Sequence, residues 1–232
     1  MEFSIIMLTY NRGSALRSNL QRVIDLTPRH RAEIIVINNQ STDNTADYLA
    51  KMPVKVVTSP VNYGVWSRNI GIKEAQGKII VNIDDDVSIS DANYLDVIAS
   101  AMTDDVGGVG QDAFYGCEDF ANAAKFEKSG AKWVREGQYA DCITGFCWAF
   151  RNENFYFNDY WKYPAAFWFE EYEIQLQIRD RGYRLRRIKN IAVHGHSGNR
   201  PGWEKQHNES MAFVRAKWKE KSKMMEWAKE LN

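Results

Sequence analysis

Cysteine, proline, net charge and long apolar runs are all scarce in this chain. Its three cysteines, Cys117, Cys142 and Cys147, are odd in number and follow no framework spacing. They read as free thiols, small buried hydrophobes in a reducing compartment. Lys plus Arg and Asp plus Glu each number 30, so the formal net charge is zero. Nothing global draws the chain to nucleic acid or to an anionic membrane. No apolar stretch approaches the ~18 residues of a membrane span, and the N-terminus lacks a leader pattern. The expectation is a soluble, cytoplasmic protein without repeats or low-complexity segments. No Gly-x-Gly-x-x-Gly follows the first apolar run, and no Gly-Lys-Ser/Thr loop exists. Ordinary dinucleotide binding and P-loop chemistry are thereby disfavoured. The same gap argues against a nucleotidyltransferase-type enzyme, which would want a Gly-rich, Lys-containing phosphate loop.

What is present is a 232-residue chain, 44% hydrophobic, enough for a sizeable core in one α/β domain. The spacing predicts a strand over Phe3–Leu8, a helix over Ser14–Leu26 stopped by Pro28, and a strand over Glu33–Ile37. A helix over Thr42–Met52, a strand over Val54–Thr58, a helix over Gly64–Gln76 with Gly77 as its C-cap, and a strand over Lys78–Ile83 follow. Strands alternating with helices of this length predict a parallel sheet with right-handed crossovers. After residue 105 the rhythm changes. Val106–Gln111 is strand-like but loosened by Gly107, Gly108 and Gly110. Ile143–Phe150 reads as a strand, Pro164–Arg181 contains a helix ended by Gly182, and Tyr183–Ile188 and Ile191–His194 are short strands. Residues 203–231 read as a polar helix packed back on the domain, with a membrane-peripheral helix as the alternative. No linker divides the chain. One domain over residues 1–232 is expected, with a nucleotide-type half (1–110) and a substrate-type half (111–232).

The most informative segment is Ile79-Ile-Val-Asn-Ile-Asp-Asp-Asp86. A buried strand ends in three consecutive carboxylates that repel one another and invite a cation. Ligands of open α/β sheets bind outside the carboxyl ends of the strands. A hard divalent ion with oxygen ligands, carrying phosphates on its far side, suits such a strand end. A solvated acidic turn is the bland alternative. Three other strand ends are polar as well: Thr9-Tyr10-Asn11-Arg12, Asn38-Asn39-Gln40-Ser41-Thr42-Asp43, and Asn62-Tyr63-Gly64 leading to Arg68-Asn69. Singly these read as helix caps or turns. Their convergence on one sheet edge makes them candidates.

The set resembles the family 2 glycosyltransferases of the GT-A fold. The resemblance rests on Ser4-Ile-Ile-Met-Leu-Thr-Tyr-Asn-Arg12, Ile35-Val-Ile-Asn-Asn-Gln-Ser-Thr-Asp43, Asn62-Tyr-Gly64 with Arg68-Asn69 and Gly71, Asp84-Asp85-Asp86, Phe169-Glu-Glu-Tyr-Glu173 with Arg179 and Gly182-Tyr183, and Val193-His194. It covers nearly the whole chain, in order. It implies a three-layer α/β/α sandwich with a Rossmann-like, mostly parallel N-terminal sheet and a mixed acceptor-side C-terminal half. It implies inverting transfer from a nucleotide-diphosphate sugar, with a divalent cation, Mn²⁺ or Mg²⁺, neutralising the leaving diphosphate.

By that resemblance Asp86 binds the metal, and Asp84 and Asp85 lie near the ribose and donor sugar. Thr9, Tyr10, Asn11, Arg12, Asn38, Asn39, Asp43, Asn62, Gly64 and Arg68 line the nucleotide-sugar site. His194 is the second protein ligand to the metal, with His196 as its rival; either could be structural. Glu171 falls on the family's base position, and Glu170 contacts acceptor or sugar. An aromatic run, Phe167, Trp168, Phe169 and Tyr172, together with a like-charged neighbour would raise a carboxyl pKa there. The bland alternative is that Glu170, Glu171 and Glu173 form the acidic first turn of a helix.

The chain departs from the family at two places. Asn38 stands where an acid usually reads the base, which leaves UDP favoured and GDP or dTDP open. Glu171 is one methylene longer than the usual Asp. The acceptor expected is a glycan, a glycolipid or another hydroxyl-bearing molecule. A modified base in DNA is an alternative acceptor, the only role left for nucleic acid, and a non-catalytic sugar-nucleotide binder is an alternative function. Trp133, Trp148, Trp161, Trp168 and Trp203 suit sugar stacking or a core. Arg184, Arg186, Arg187 and Lys189 suit phosphate contacts or a solvated strand face.

Overall fold

In the N-terminal half, every run whose side chains are apolar on both faces becomes a strand buried between two helical layers. The structure is a computed structural model that describes residues 1–115, 132–143, 145–157 and 170–194. Its N-terminal elements are β1 (Phe3–Thr9), α1 (Gly13–Leu26), β2 (Ala32–Asn38), α2 (Thr45–Leu49), β3 (Lys55–Thr58), α3 (Arg68–Glu74) and β4 (Ile79–Asp84). There follow β5 (Val87–Ile89), α4 (Tyr94–Ala101), β6 (Val106–Gly110), β7 (Ala113–Tyr115), β8 (Lys132–Trp133), β9 (Tyr139–Ala140), β10 (Cys142–Ile143), β11 (Cys147–Arg151), α5 (Glu170–Asp180), β12 (Arg184–Arg187) and β13 (Ala192–His194).

Among the described residues the main sheet has eight strands in the order β3-β2-β1-β4-β11-β6-β12-β9. The first four are parallel, β11 runs antiparallel to both β4 and β6, and β12 is parallel to β6. The carboxyl ends of β1, β2, β4 and β6 therefore share one edge. Phe3, Ile5 and Met7 of β1 pack with Leu16, Leu20 and Val23 of α1 and with Tyr94, Leu95 and Ile98 of α4. Ile6, on the other face, packs in the cluster that holds Ile72 of α3 and Ile174 and Ile178 of α5. This is the three-layer GT-A-type architecture. Each such fully buried side chain contributes on the order of 1.5–3 kcal/mol.

Four expectations need correction. The helix expected over Thr42–Met52 is only Thr45–Leu49, because Asp43 turns its carboxylate onto the Thr45 N–H at 3.0 Å and starts the helix late. Gly77 is not a helix C-cap: α3 ends three residues earlier. Gly77 is instead pressed against β1, where a Cβ would stand 2.3 Å from the Phe3 carbonyl carbon. The three glycines of β6 do not loosen it; the strand is buried throughout, and bare Cα atoms let α5 and its neighbours approach. The apolar stretch Ile143–Phe150 is two strands in two sheets, β10 with β7 and β11 in the main sheet, with a break at Gly145–Phe146. The helix expected over 203–231 lies outside the described residues.

The cysteines also differ from expectation. Cys147 is a buried free thiol, but Cys142 is disulfide-bonded. The thiol argument for a reducing compartment therefore fails. No helix among the described residues is long and apolar enough to cross a membrane.

Candidate active site at the carboxyl edge of the sheet

The loops after β1 and β2 are fused into one wall. Asn11, in the left-handed region at φ 52°, accepts the Thr42 N–H at 2.7 Å and donates its amide to the Thr42 hydroxyl at 3.1 Å. The Asn11 N–H donates to the Ser41 hydroxyl at 3.1 Å. Tyr10, Asn11, Thr42 and Asp43 remain exposed on this wall.

Asn38 and Asn39 are built differently from expectation. Both are buried. The Asn38 side-chain oxygen accepts the Ser41 N–H at 3.0 Å and shapes the turn. Asn39 donates to the Asn62 carbonyl at 2.7 Å and accepts from the Ser67 hydroxyl at 2.7 Å. Asn62 in turn accepts the Gly64 N–H at 3.0 Å, and Gly64 takes φ 60°. These amides lock the loops, as does Asn69, which pairs with the backbone N–H and C=O of Phe157.

The three carboxylates have three environments. Asp84 is ion-paired with Arg68, a buried side chain on α3. Burial nonetheless raises the Asp84 pKa, Asp86 adds to the rise, and Arg68 and His194 oppose it. Asp85 is buried, and desolvation pushes it up to about 6 against the opposing Thr9 hydroxyl and Arg12. Asp86 is held below the usual carboxylate range, first by a hydrogen bond from His194. His194 Nε2 lies 3.2 Å from Asp86, and Arg12 lies 3.7 Å from the other Asp86 oxygen. The same pairing raises the His194 pKa.

The meeting of His194 with Asp86 has a simple cause. β5 begins directly after Asp86, and β13 pairs antiparallel with it so that His194 stands opposite Val87. The ring also stacks on Phe146 at 5.1 Å. Asp84, Asp86 and His194 offer ligand atoms all within 4.8 Å of one another. Two carboxylate oxygens and one imidazole nitrogen are a donor set that fits Mn²⁺ or Mg²⁺. His196 lies outside the described residues.

Glu171 opens α5 facing the break between β10 and β11. Burial pushes its carboxyl up to about 7, and the Asp84 charge adds to that; its own N–H, Arg68 and the Gly145 N–H oppose. Glu170 is the first residue of α5, and its side chain lies outside the described residues, as do Phe167, Trp168 and Phe169. Residues that sequence reasoning missed frame the site. Asn19 of α1 donates to the Asp85 carbonyl at 3.0 Å, Arg22 donates to the Ile89 carbonyl at 3.1 Å, and the Asp84 N–H donates to the Phe146 carbonyl at 2.9 Å.

The cationic strand β12 is committed elsewhere. Arg184 and Arg186 lie over the Tyr139 ring at 4.4 and 4.9 Å, Arg187 donates to the Gln111 carbonyl at 2.9 Å, and Lys189 pairs with Asp91 at 2.6 Å. Trp148 is core, stacked on Phe150 at 4.8 Å.

Similar proteins share this fold. The mannosyltransferase PcManGT of Pyrobaculum calidifontis, solved with GDP-Man and Mn²⁺, aligns over 88% of this chain and 59% of its own at 19% identity, with a TM-score of 0.64. Glucosyl-3-phosphoglycerate synthase of Mycobacterium tuberculosis, solved with Mn²⁺, UDP and phosphoglyceric acid, aligns over 93% of this chain and 78% of its own at 16% identity, with a TM-score of 0.65. Among curated sequences, the uncharacterised glycosyltransferase YibD of Escherichia coli K12 is 31% identical over 110 residues, 45% of this chain and 32% of its own. The chain spans about a third of the length of the first curated relatives it matches. The sequence profile of glycosyl transferase family 2 matches residues 4–161. On that match, over more than half its length, the chain belongs to glycosyl transferase family 2.

Proposed function

We propose that this chain transfers a sugar, with inversion, from a nucleotide-diphosphate sugar to an acceptor hydroxyl, and that it does so with a divalent metal. The observation that carries the reading is the approach of a carboxyl with a raised pKa, Glu171, to the Asp84–Asp86–His194 cluster on one edge of the sheet. A base works best when its pKa lies near the working pH. Glu171 takes the acceptor proton, and Glu170, its neighbour on α5, contacts acceptor or sugar. Asp86 and His194 hold the metal, and Asp84 holds it or the donor sugar. Such an ion, when bound, neutralises the departing diphosphate. Arg68 keeps Asp84 in place, and Arg12 adds positive charge beside Asp86. Gly64 and Asn62 shape the loop above, and Thr9, Tyr10, Asn11 and Asp43 line the nucleotide wall.

UDP is favoured as the nucleotide. Relatives in the fold were solved with UDP-GlcNAc (Staphylococcus aureus TarS) and with UDP, and another with GDP-Man, so GDP is the rival. The acceptor is a glycan, a glycolipid or another hydroxyl-bearing molecule. DNA has no specific support, since the cations of β12 and the neighbouring Lys189 already have partners within the fold. A screen of nucleotide sugars for hydrolysis with and without Mn²⁺ tests the class and the donor together. Turnover of one nucleotide sugar, lost on chelation, is the expected result.

A further inference from the structure

Gln111 follows the last residue of β6 and is buried. Its side chain makes three hydrogen bonds, all to a single short segment. Its carbonyl accepts the Ile191 N–H at 3.0 Å and the Ala192 N–H at 2.9 Å. Its amide donates to the Ala192 carbonyl at 2.9 Å. Those residues immediately precede Val193 and His194. Among the described residues β13 itself pairs only with β5, in a two-stranded sheet separate from the main one. Both strands of this small sheet adjoin metal-site groups: β5 starts after Asp86 and β13 ends in His194.

A two-stranded ribbon is marginal on its own. It needs an anchor to hold its register against the main sheet. Gln111 supplies that anchor, since its amide mimics a neighbouring strand and uses one donor and one acceptor on a ribbon backbone. The backbone carbonyl of Gln111 in turn accepts from Arg187 Nε at 2.9 Å, which ties the residue that carries the anchor to β12. Residues that orient a metal ligand are commonly worth 10–100-fold in metal affinity.

We infer that Gln111 is a positioning residue for the metal site: it fixes the height and direction from which His194 meets Asp84 and Asp86. The inference rests on the metal site proposed above. Gln111→Leu removes all three bonds at similar volume, and it leaves the Ile191 and Ala192 N–H groups and the Ala192 carbonyl unpaired.

Mn²⁺ titrations followed by EPR on the whole chain test it, using the metal alone as probe. The wild type, Gln111→Leu, His194→Ala and the double variant form a cycle. Gln111→Leu is expected to weaken Mn²⁺ binding ~10–100-fold in the wild-type background and by less than ~2-fold once His194 is alanine. An equal loss in both backgrounds, or no loss in the first, overturns the inference. If His194→Ala itself leaves Mn²⁺ affinity unchanged, the metal site fails, and the inference with it, by a separately visible result. Should Gln111→Leu not fold, Gln111→Asn replaces it in the same cycle. That variant keeps an uncharged amide one methylene shorter, which weakens the three bonds rather than abolishing them, so its loss should be smaller but confined to the background that retains His194.

Discussion

The carboxyl of Glu171 lies against the bare Cα of Gly145, where a Cβ would stand 2.8 Å from the Glu171 carboxyl carbon. The two residues come from segments 26 positions apart, and the break between β10 and β11 exists where they meet. Gly145→Ala therefore strikes the end of a flexible side chain rather than backbone. The fold should absorb it, with a Tm shift of no more than about 2–4 °C, the scale of ~1 kcal/mol in a chain this size. The carboxyl must move instead. Misplacing a reacting group by ~1 Å can cost ~10²-fold in rate. Calorimetry and steady-state kinetics on the same preparation check both halves.

Glu171→Gln should keep nucleotide binding and lose ~10²–10⁴ in turnover. The pH profile carries the sign. A base acts when ionised, so kcat/KM should rise with pH toward a plateau, with a midpoint at or below about 7. It sits below when a divalent ion offsets the Asp84 charge. The variant should lose that limb. Stability runs the other way. A carboxyl whose folded pKa is raised makes the fold less stable as pH climbs from its unfolded value of 4.5 to about 7. Glu171→Gln should thus gain stability over the wild type at pH 8 relative to pH 4, measured by denaturant titration.

Much of this was legible in the sequence. β1, β2 and β4 are apolar on both faces, as buried parallel strands must be, and their polar ends announce the ligand edge. Asp86, His194 and Glu171 were singled out by residue type and order, and the structure brings Asp86 and His194 together. What was hidden is what depends on long-range pairing. β5 is a three-residue strand with little local signal, and although Ile191–His194 reads as a strand, the register with β5 that brings His194 to Asp86 is not local. The run Ile143–Phe150 is mostly apolar, and apolarity alone cannot say that it changes sheets at Gly145. Gln111, Asn19, Asn39 and Asn69 are ordinary amides until the backbone they bond is known. The cations of β12 and Lys189 looked available for phosphate because their partners, Tyr139 and Asp91, are distant in sequence.

Removing the metal ligand should be visible without turnover. Asp86→Ala deletes the carboxylate paired with His194 and Arg12. Mn²⁺-dependent nucleotide binding should be lost in calorimetry while the circular dichroism spectrum holds. Equal UDP affinity with and without metal in the wild type would sink the assignment.

Asn38→Asp separates the sequence expectation from the structure. A carboxylate facing the base would tighten UDP relative to GDP by ~1 kcal/mol, the step from a neutral to a charge-assisted hydrogen bond. The Asn38 oxygen instead faces the Ser41 N–H, and the side chain is buried. Competition binding of UDP, dTDP and GDP should give the same ranking in wild type and variant. A changed ranking would return Asn38 to the base.

The most direct test is proton NMR of the sugar released or transferred from a UDP-sugar, followed in time with Mn²⁺, with chelator, and with Glu171→Gln. Metal-dependent appearance of a product of inverted anomeric configuration, absent in the other two samples, is predicted. A product that retains the donor's configuration, or turnover indifferent to chelator and to Glu171, would contradict a metal-dependent single displacement driven by this base.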